Sequence, residues 1–184
     1  YFIAIFTGSA VILIYKKIPK FISIPLILII FLITPISSFA TFKQGFSEHS
    51  PSRLSVEELK GMDFLKNLPD GIVLTYPFDK TERLKFKAPY PLFVYETTSY
   101  VSAFSGKQTF LEDEIQQDIL QSDYLKRLVA SREFFYKDDP VWSRNFLREN
   151  NIKYIYLTKN NNVALSENDL KIKKVYDNKE VDIY

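Results

Sequence analysis

Hydrophobic and polar residues are distributed very unevenly along this chain of 184 residues. Residues 1–42 carry only the charges of Lys16, Lys17 and Lys20, whereas residues 43–184 have the mixed composition of a globular domain. The run from Phe21 to Phe42 contains 22 residues without an ionisable side chain. As a helix it would be about 33 Å long, which matches the hydrocarbon core of a bilayer. The pattern therefore predicts a transmembrane helix over 21–42.

A second apolar run, residues 1–15, precedes this segment and is short for a span. Because the chain begins with Tyr1 inside that run, we interpret residues 1–42 as a transmembrane hairpin whose first helix is truncated, at the end of a larger membrane domain. The lysines at 16, 17 and 20 form a short basic turn, and such turns stay on the cytoplasmic side. This topology predicts a multi-pass protein of the cell membrane, embedded in the lipid bilayer, with the following domain on the extracytoplasmic side.

The polar residues 43–55 are predicted to be a linker, and apolar periodicity over 56–184 predicts alternating helices and strands. Helices are expected from a capping box at Ser55 and Glu58, over 97–106, from Glu112, near Asp123 and at Pro140. Strands are expected over 72–76, 108–111 and 152–157, with a terminal hairpin over about 174–184. Alternation of this kind predicts a mostly parallel sheet covered by helices on both faces. The predicted fold class is thus α/β: two transmembrane helices, the first truncated, followed by a small α/β sandwich with a mostly parallel sheet and a C-terminal β-hairpin.

Charge and composition exclude several classes of function. The net charge of +2 for the whole chain leaves −1 for residues 43–184, so no basic surface for nucleic acid is expected. The chain has no cysteine and a single histidine, His49, which excludes thiolate sites, cysteine nucleophiles and multi-histidine metal centres. His49 is the one candidate base for a serine triad. No catalytic residue, no metal ligand set and no cofactor site can be assembled from the sequence.

Two stretches contain residue types that bind ligands. Ser105-Gly106-Lys107 resembles part of a phosphate loop, but its glycine follows a helix and precedes a strand, the reverse of the order that such loops require. Glu112, Asp113 and Glu114 fall where a strand ends and a helix begins, the edge at which open α/β sheets bind ligands. There they can accept hydrogen bonds from sugar hydroxyls or bind a divalent cation. The alternative for these acids is helix capping and compensation of the helix dipole.

Aromatic residues are frequent, and Tyr90, Tyr95 and Tyr100 are candidates for stacking on sugar rings or for the lipid interface. The alternative is ordinary packing. The candidate substrate-binding residues are therefore Tyr100, Ser105, Lys107, Glu112, Asp113 and Glu114.

Three segments, Gly71–Leu74, Thr98–Glu114 and Asn151–Leu157, resemble the C-terminal region of bacterial polytopic membrane proteins related to the GT-C glycosyltransferases, including the YfhO-like and mannosyltransferase-like groups. The resemblance implies transfer of a sugar from a polyprenyl-phosphate donor to a glycan or lipid acceptor at the outer face of the membrane. It also implies a catalytic acidic residue in the first extracytoplasmic loop, to which no residue of this chain can be matched. The resemblance leaves open whether the parent protein uses a divalent cation.

Two hypotheses follow for function. In the first, the chain is the C-terminal fragment of an integral membrane glycosyltransferase of the cell envelope, and its soluble domain assists acceptor or glycan binding. In the alternative, it belongs to a non-catalytic membrane protein whose outer domain binds a partner or a cell-envelope polymer.

Overall fold

The computed structural model describes residues 2–47 and 50–184, and the chain divides into two compact units, residues 1–49 and 50–184. His49, the candidate base, lies outside the described residues. The residues predicted as a linker, 43–55, contain the end of a long helix and a short strand.

The first unit consists of helices α1 (Phe2–Lys17) and α2 (Lys20–Ser47), which contact each other. Among the residues that the structure describes, no helix has both the length and the apolar character required to cross a membrane. The prediction of two transmembrane helices, the first truncated, is therefore wrong. It rested on the absence of charge over 21–42, but this run also contains serines, threonines and two prolines. Polar side chains and missing backbone donors both raise the cost of burial in hydrocarbon.

The second unit combines short strands with helices on both sides. Its helices are α3 (Val56–Lys66), α4 (Leu92–Tyr95), α5 (Tyr100–Ser105), α6 (Glu114–Ile119), α7 (Tyr124–Tyr136), α8 (Pro140–Glu149) and α9 (Glu167–Leu170), with a 3-10 helix over Lys80–Lys85. Its strands are β1 (Ser52–Arg53), β2 (Ile72–Thr75), β3 (Tyr90–Pro91), β4 (Ile152–Thr158), β5 (Tyr176–Asp177) and β6 (Val181–Ile183).

Local capping signals begin and end the helices where the sequence predicted. Ser55 and Glu58 form both hydrogen bonds of a capping box at the start of α3. Gly106 ends α5 in the left-handed region, with φ of 67°, which glycine adopts without steric cost. Asp139 caps α8, and Pro140 occupies its first turn. These predictions are confirmed.

The main sheet has the strand order β2-β4-β6-β5. Strands β2 and β4 are parallel, whereas β6 runs antiparallel to both β4 and β5. The sheet is therefore mixed, and the prediction of a mostly parallel sheet is wrong. The physical reason is the terminal hairpin of β5 and β6, which pairs with β4 through its second strand. The predicted strand 108–111 is reduced to one parallel bridge between Thr109 and Val73.

Alternate residues of β2 and β4 point into two hydrophobic cores on opposite faces of the sheet. Val73 and Tyr156 belong to a core that includes residues of α3, α5 and β6, namely Met62, Leu65, Val101, Val181 and Ile183. Leu74 and Ile155 belong to the other core, built with residues of α7, α8, α9 and the end of β4, namely Phe134, Phe135, Phe146, Leu157, Leu165 and Leu170. Helices thus cover both faces, and the ends of β2 and β4 emerge between them.

The burial of α3 gives a direct test of this packing. Leu65 is fully buried, whereas Leu84 in the 3-10 helix is 88% exposed. We expect Leu65→Ala to lower the free energy of unfolding by about 2–5 kcal/mol, because it removes buried methyl groups and leaves a cavity. The matched variant Leu84→Ala should change it by less than about 0.5 kcal/mol. Urea unfolding measures both values, and equal losses would contradict the described packing.

Candidate ligand-binding cleft

A cleft lies at the carboxyl ends of the parallel strands β2 and β4, the edge at which open α/β sheets place their ligands. Strand β2 contributes Thr75 and the following Tyr76, and strand β4 contributes Tyr156 and Thr158. Residues from the segments 77–82, 93–100 and 111–114 complete its lining. The cleft encloses about 50 Å³, which is room for on the order of three or four water molecules. It can therefore hold one substituent of a ligand but not a whole sugar ring.

The charged residues that line the cleft are all acidic. Six acidic residues contribute to its lining: Asp79, Glu82, Glu96, Glu112, Asp113 and Glu114. None of the described lining residues is lysine, arginine or histidine. Two cations lie near the rim: Lys85 Nζ is 2.6 Å from Glu82 Oε1, and the charge of Arg132 acts on Asp79 and Glu114. The negative charges thus outnumber the positive ones, and a cation or a hydrogen-bond donor is favoured here.

Glu112 and Asp113 bind the amino ends of two helices. The carboxylate oxygens of Glu112 accept hydrogen bonds from the backbone amides of Val101 and Ser102, each at 3.0 Å. Asp113 accepts one from the Gln116 amide at 3.4 Å and begins α6. Helix capping, the alternative considered for the acids, therefore describes both residues. Glu112 caps the preceding helix α5, however, and not the helix that follows it.

Glu114 is the acid of this group whose carboxylate caps neither helix. Its backbone amide donates to Thr97 Oγ1 at 2.8 Å, and its side chain is half-buried in the cleft wall. Burial raises the pKa of the Glu114 carboxyl, while the charge of Arg132 and the Phe78 amide oppose that shift. Burial also raises the pKa of Glu112, although the hydrogen bonds from the backbone amides of Val101 and Ser102 act to lower it. Glu114 is therefore the member of the trio best placed to meet a ligand.

The buried hydroxyl of Tyr156, in the wall of the cleft, makes no hydrogen bond of normal geometry within the part of the chain that the structure describes. Tyr156 is only 2% exposed, and its hydroxyl interacts with the neighbouring Tyr100 hydroxyl. The Tyr100 ring packs edge-on against it, with 6.4 Å between ring centroids. Burial raises the pKa of both hydroxyls, so both stay neutral at physiological pH. An unpaired buried hydroxyl costs about 1–3 kcal/mol of stability.

The structure brings Tyr100, Glu112, Asp113 and Glu114 together in this cleft but leaves Ser105 and Lys107 outside it. Ser105 Oγ donates to the Val101 carbonyl at 2.6 Å, within α5. Lys107 Nζ donates to the Leu68 carbonyl at 2.6 Å and to Asp70 at 3.2 Å, near the amino end of β2. The contacts of Ser105 and Lys107 are therefore structural. Lys107 donates to the Leu68 carbonyl, which follows the end of α3 and has no hydrogen-bond partner within that helix.

The tyrosines considered as a sugar platform are engaged with each other and with an arginine. Tyr90 and Tyr95 stack with centroids 6.4 Å apart, and the Arg83 guanidinium lies 4.3 Å and 5.4 Å from their ring centroids. A cation over an aromatic ring is a stabilising contact in its own right. The packing alternative therefore describes these two side chains.

Tyr156 is the cleft residue that sequence analysis missed. The strand over 152–157 was predicted, and alternation places Tyr154 and Tyr156 on one face. The sequence does not show which of the two hydroxyls is hydrogen-bonded. In the structure, Tyr154 donates to the Pro69 carbonyl at 2.9 Å, whereas Tyr156 has no such partner. The one signal available was position, because Tyr156 lies near the carboxyl end of a central strand.

A second cleft, of about 610 Å³, lies beside the residues that follow β4. Asn161 lines both clefts, and its side-chain amide donates to Thr158 Oγ1 at 3.1 Å. Three asparagines, at 161, 162 and 168, contribute to this second lining, but none of the predicted site residues does. Within the described residues, no group of three acidic or histidine side chains is placed to hold a metal ion.

The unpaired hydroxyl predicts an unusual stability effect. Tyr156→Phe removes a buried donor without a partner, so we expect the free energy of unfolding to rise by about 1 kcal/mol. Tyr154→Phe is the matched control: it removes a hydroxyl that is hydrogen-bonded to Pro69 and should lower stability by about 1 kcal/mol. Urea unfolding of both variants measures the two signs. A loss of stability in Tyr156→Phe would show that its hydroxyl is satisfied.

The buried carboxyl predicts a pH dependence with a defined sign. A carboxyl whose folded pKa lies above its ordinary value of 4.5 contributes stability that is present below that value and lost as pH rises through the folded pKa. Glu114→Gln cannot ionise, so its unfolding free energy should fall less than that of the wild type between pH 4.5 and pH 7.5. Glu149→Gln, on the exposed side of α8, should keep the wild-type profile. Identical profiles for Glu114→Gln and wild type would contradict the burial of this carboxyl.

No protein family model, curated protein or solved structure matches the chain. The resemblance to GT-C glycosyltransferases therefore stays a prediction from the sequence.

Proposed function

We propose that residues 50–184 form a carbohydrate-binding domain, with one sugar substituent inserted into the cleft at the carboxyl ends of β2 and β4 and the sugar ring lying across the rim of the cleft. The observation that carries the proposal is a cleft whose lining combines six acidic residues with Tyr100, Tyr156 and the rings of Phe78 and Phe93. Sugar hydroxyls donate to carboxylates and both donate to and accept from a tyrosine hydroxyl. A saccharide therefore supplies the partners that this lining lacks.

The lining also contains apolar surface suited to the C–H face of a sugar. Phe78 and Phe93 contribute ring surface, beside Tyr76 from the end of β2. Such rings combine apolar area with a defined orientation. Because only about 50 Å³ is enclosed, most of the ligand stays in contact with water. We therefore expect a dissociation constant near the millimolar range, about −4 kcal/mol of binding free energy.

In the wider hypothesis, this domain assists acceptor or glycan binding for sugar transfer from a polyprenyl-phosphate donor at the cell envelope. The charge of the cleft supports the acceptor role. Six carboxylates line it, and like charges in a partly buried site repel a phosphate. The domain would thus take the glycan, while the phosphate donor binds elsewhere. The transfer reaction itself rests on the resemblance alone.

The second candidate is a non-catalytic protein whose outer domain binds a cell-envelope polymer. One observation favours it: Glu112 and Asp113 are committed to capping α5 and α6, so two of the three clustered acids are held in structural hydrogen bonds. Both candidates require the same binding event. They differ in that only the first predicts turnover of a polyprenyl-phosphate sugar in the presence of the chain and its parent protein.

Binding tests the proposal directly. The 184-residue chain is titrated with a panel of oligosaccharides and followed by calorimetry. We expect a saccharide that binds at millimolar concentration, and an affinity about five- to tenfold lower for Tyr156→Phe, the value of one hydrogen bond. Tyr154→Phe, whose hydroxyl contacts Pro69 at the other end of the strand, should bind as wild type does.

Two outcomes would contradict this assignment. Absence of binding to every saccharide at millimolar concentration would overturn the carbohydrate function. Loss of binding in Asn162→Ala or Asn168→Ala, with wild-type affinity in Tyr156→Phe, would place the ligand in the second cleft.

A further inference from the structure

We propose that the second cleft, which lies beside the residues that follow β4, is a further saccharide subsite, so that the domain recognises a glycan of two or more units. This inference rests on the proposed carbohydrate function and adds a site to it. Three observations carry it: the size of the second cleft, the combination of amides and apolar surface in its lining, and Asn161, which lines both clefts.

The second cleft has the dimensions of a ligand site. Its volume is about 610 Å³, within the range of about 300–1,000 Å³ that small-molecule pockets occupy. The first cleft encloses about 50 Å³, which is room for one substituent of a sugar. A glycan anchored in the first cleft therefore finds space for a whole further ring only in the second.

Asn161 is the residue at which the two clefts adjoin. It lies shortly after the end of β4 and is 8% exposed. Its side-chain amide donates to Thr158 Oγ1 at 3.1 Å, and its backbone amide donates to the Thr158 carbonyl at 2.9 Å. Thr158 itself lines the first cleft. Because this pair fixes the boundary that the clefts share, we expect a glycan that leaves the first cleft to enter the second.

Asparagine side chains supply the hydrogen-bonding groups of the second cleft. Asn162 and Asn168 are exposed residues of its lining, and their side-chain amides have no hydrogen-bond partner among the described residues. An amide side chain has donors and an acceptor, so it can pair with a sugar hydroxyl in either direction. Ser166, in contrast, is engaged in the capping box of α9. The free amides thus provide both functions that hydroxyl recognition requires.

The same lining contains apolar surface for the C–H face of a sugar. Val163 and Ile172 are half-buried and pack against the core built with residues of α7, α8 and α9. The partly exposed Tyr184 adds an aromatic ring to this lining. A tyrosine combines an apolar face with a polar tip, which suits a ligand that has both kinds of surface.

The charges around the second cleft are balanced, which favours a neutral ligand. Lys159 Nζ is 2.7 Å from Asp177 Oδ1 and 3.6 Å from Asp182 Oδ1. Lys174 Nζ is 3.2 Å from an oxygen of each of these aspartates. Two lysines thus face two aspartates, and Glu167 is the other charged residue of the described lining. Uncharged sugar hydroxyls match this lining better than an ion does, because its charges already have partners.

An extended peptide is another neutral ligand that amides can bind. Peptides commonly add a strand to an open sheet edge. The strands beside this cleft have no open edge, because β4 is paired with β2 and β6, and β6 is paired with β4 and β5. The described lining therefore favours a ligand that is bound by side chains, and a saccharide is such a ligand.

The test compares monomers, dimers and trimers of two β-1,4-linked series, glucose and N-acetylglucosamine, by calorimetry with the 184-residue chain. We expect at least one series to bind, and its trimer to bind about tenfold more tightly than its monomer, since the second cleft adds one or two hydrogen bonds. A trimer that uses one unit at a time would gain at most about threefold from its equivalent units.

Asparagine variants locate the gain in affinity. Asn162→Ala and Asn168→Ala should each lower the ratio of trimer to monomer affinity about threefold, a value within the range of one hydrogen bond. The double variant should bring that ratio to about threefold or below. Asn160→Ala is the matched control, because Asn160 is exposed and lines neither cleft, and it should keep the wild-type ratio. Asn161 is left intact, since its buried side chain bonds to Thr158.

The outcomes separate this inference from the function on which it rests. A trimer that binds no more than about threefold more tightly than its monomer would overturn the second subsite and leave carbohydrate binding intact. A larger ratio that survives in the double variant would also overturn it, because the further units would then contact another surface. No binding by any member of either series at millimolar concentration would overturn both proposals.

Discussion

The parallel pairing of β2 with β4 is the interaction on which the rest of the 50–184 unit depends. Ile72 aligns with Ile152 and Thr75 aligns with Tyr156, so β2 ends opposite Tyr156 and β4 continues two residues further, to Thr158. Gly71 lets them approach, because a Cβ at this position would lie 2.7 Å from the Lys153 side chain. Side chains alternate from this pair into the two cores. The same pairing brings Tyr76 and Tyr156 into the lining of one cleft, so the pairing that builds the cores also builds the cleft.

Sequence analysis succeeded where a feature depends on neighbours in the chain. The capping box of α3, the left-handed Gly106 and the proline at the start of α8 each involve residues within four positions, and all were predicted. It failed where partners are distant. Glu112 was expected at the start of the next helix, yet it binds amides 10 and 11 residues earlier. Lys107 contacts residues 37 and 39 positions away, and no local pattern encodes such a contact.

The 50–184 unit contains buried polar groups that a protein selected only for stability would avoid. The Tyr156 hydroxyl and one oxygen of Glu58 are buried without hydrogen-bond partners among the described residues. Burial raises the pKa of Glu58, Glu112 and Glu114, so their ionised forms are disfavoured in the fold. Each of these features lowers stability at neutral pH. Tyr156, Glu112 and Glu114 line the cleft, where a binding site keeps such groups for a ligand, whereas Glu58 and other buried polar groups lie elsewhere in the described chain.

The correction to the membrane helices changes what the carbohydrate proposal depends on. The predicted topology gave the domain an extracytoplasmic position, and that position supported a role in envelope glycan chemistry. The cleft, however, is built entirely from residues of the 50–184 unit. Ligand recognition therefore follows from β2, β4 and the segments at their ends, whereas sugar transfer requires a donor site that these residues do not form. The two parts of the hypothesis can fail separately, and the binding part is the one that this structure supports.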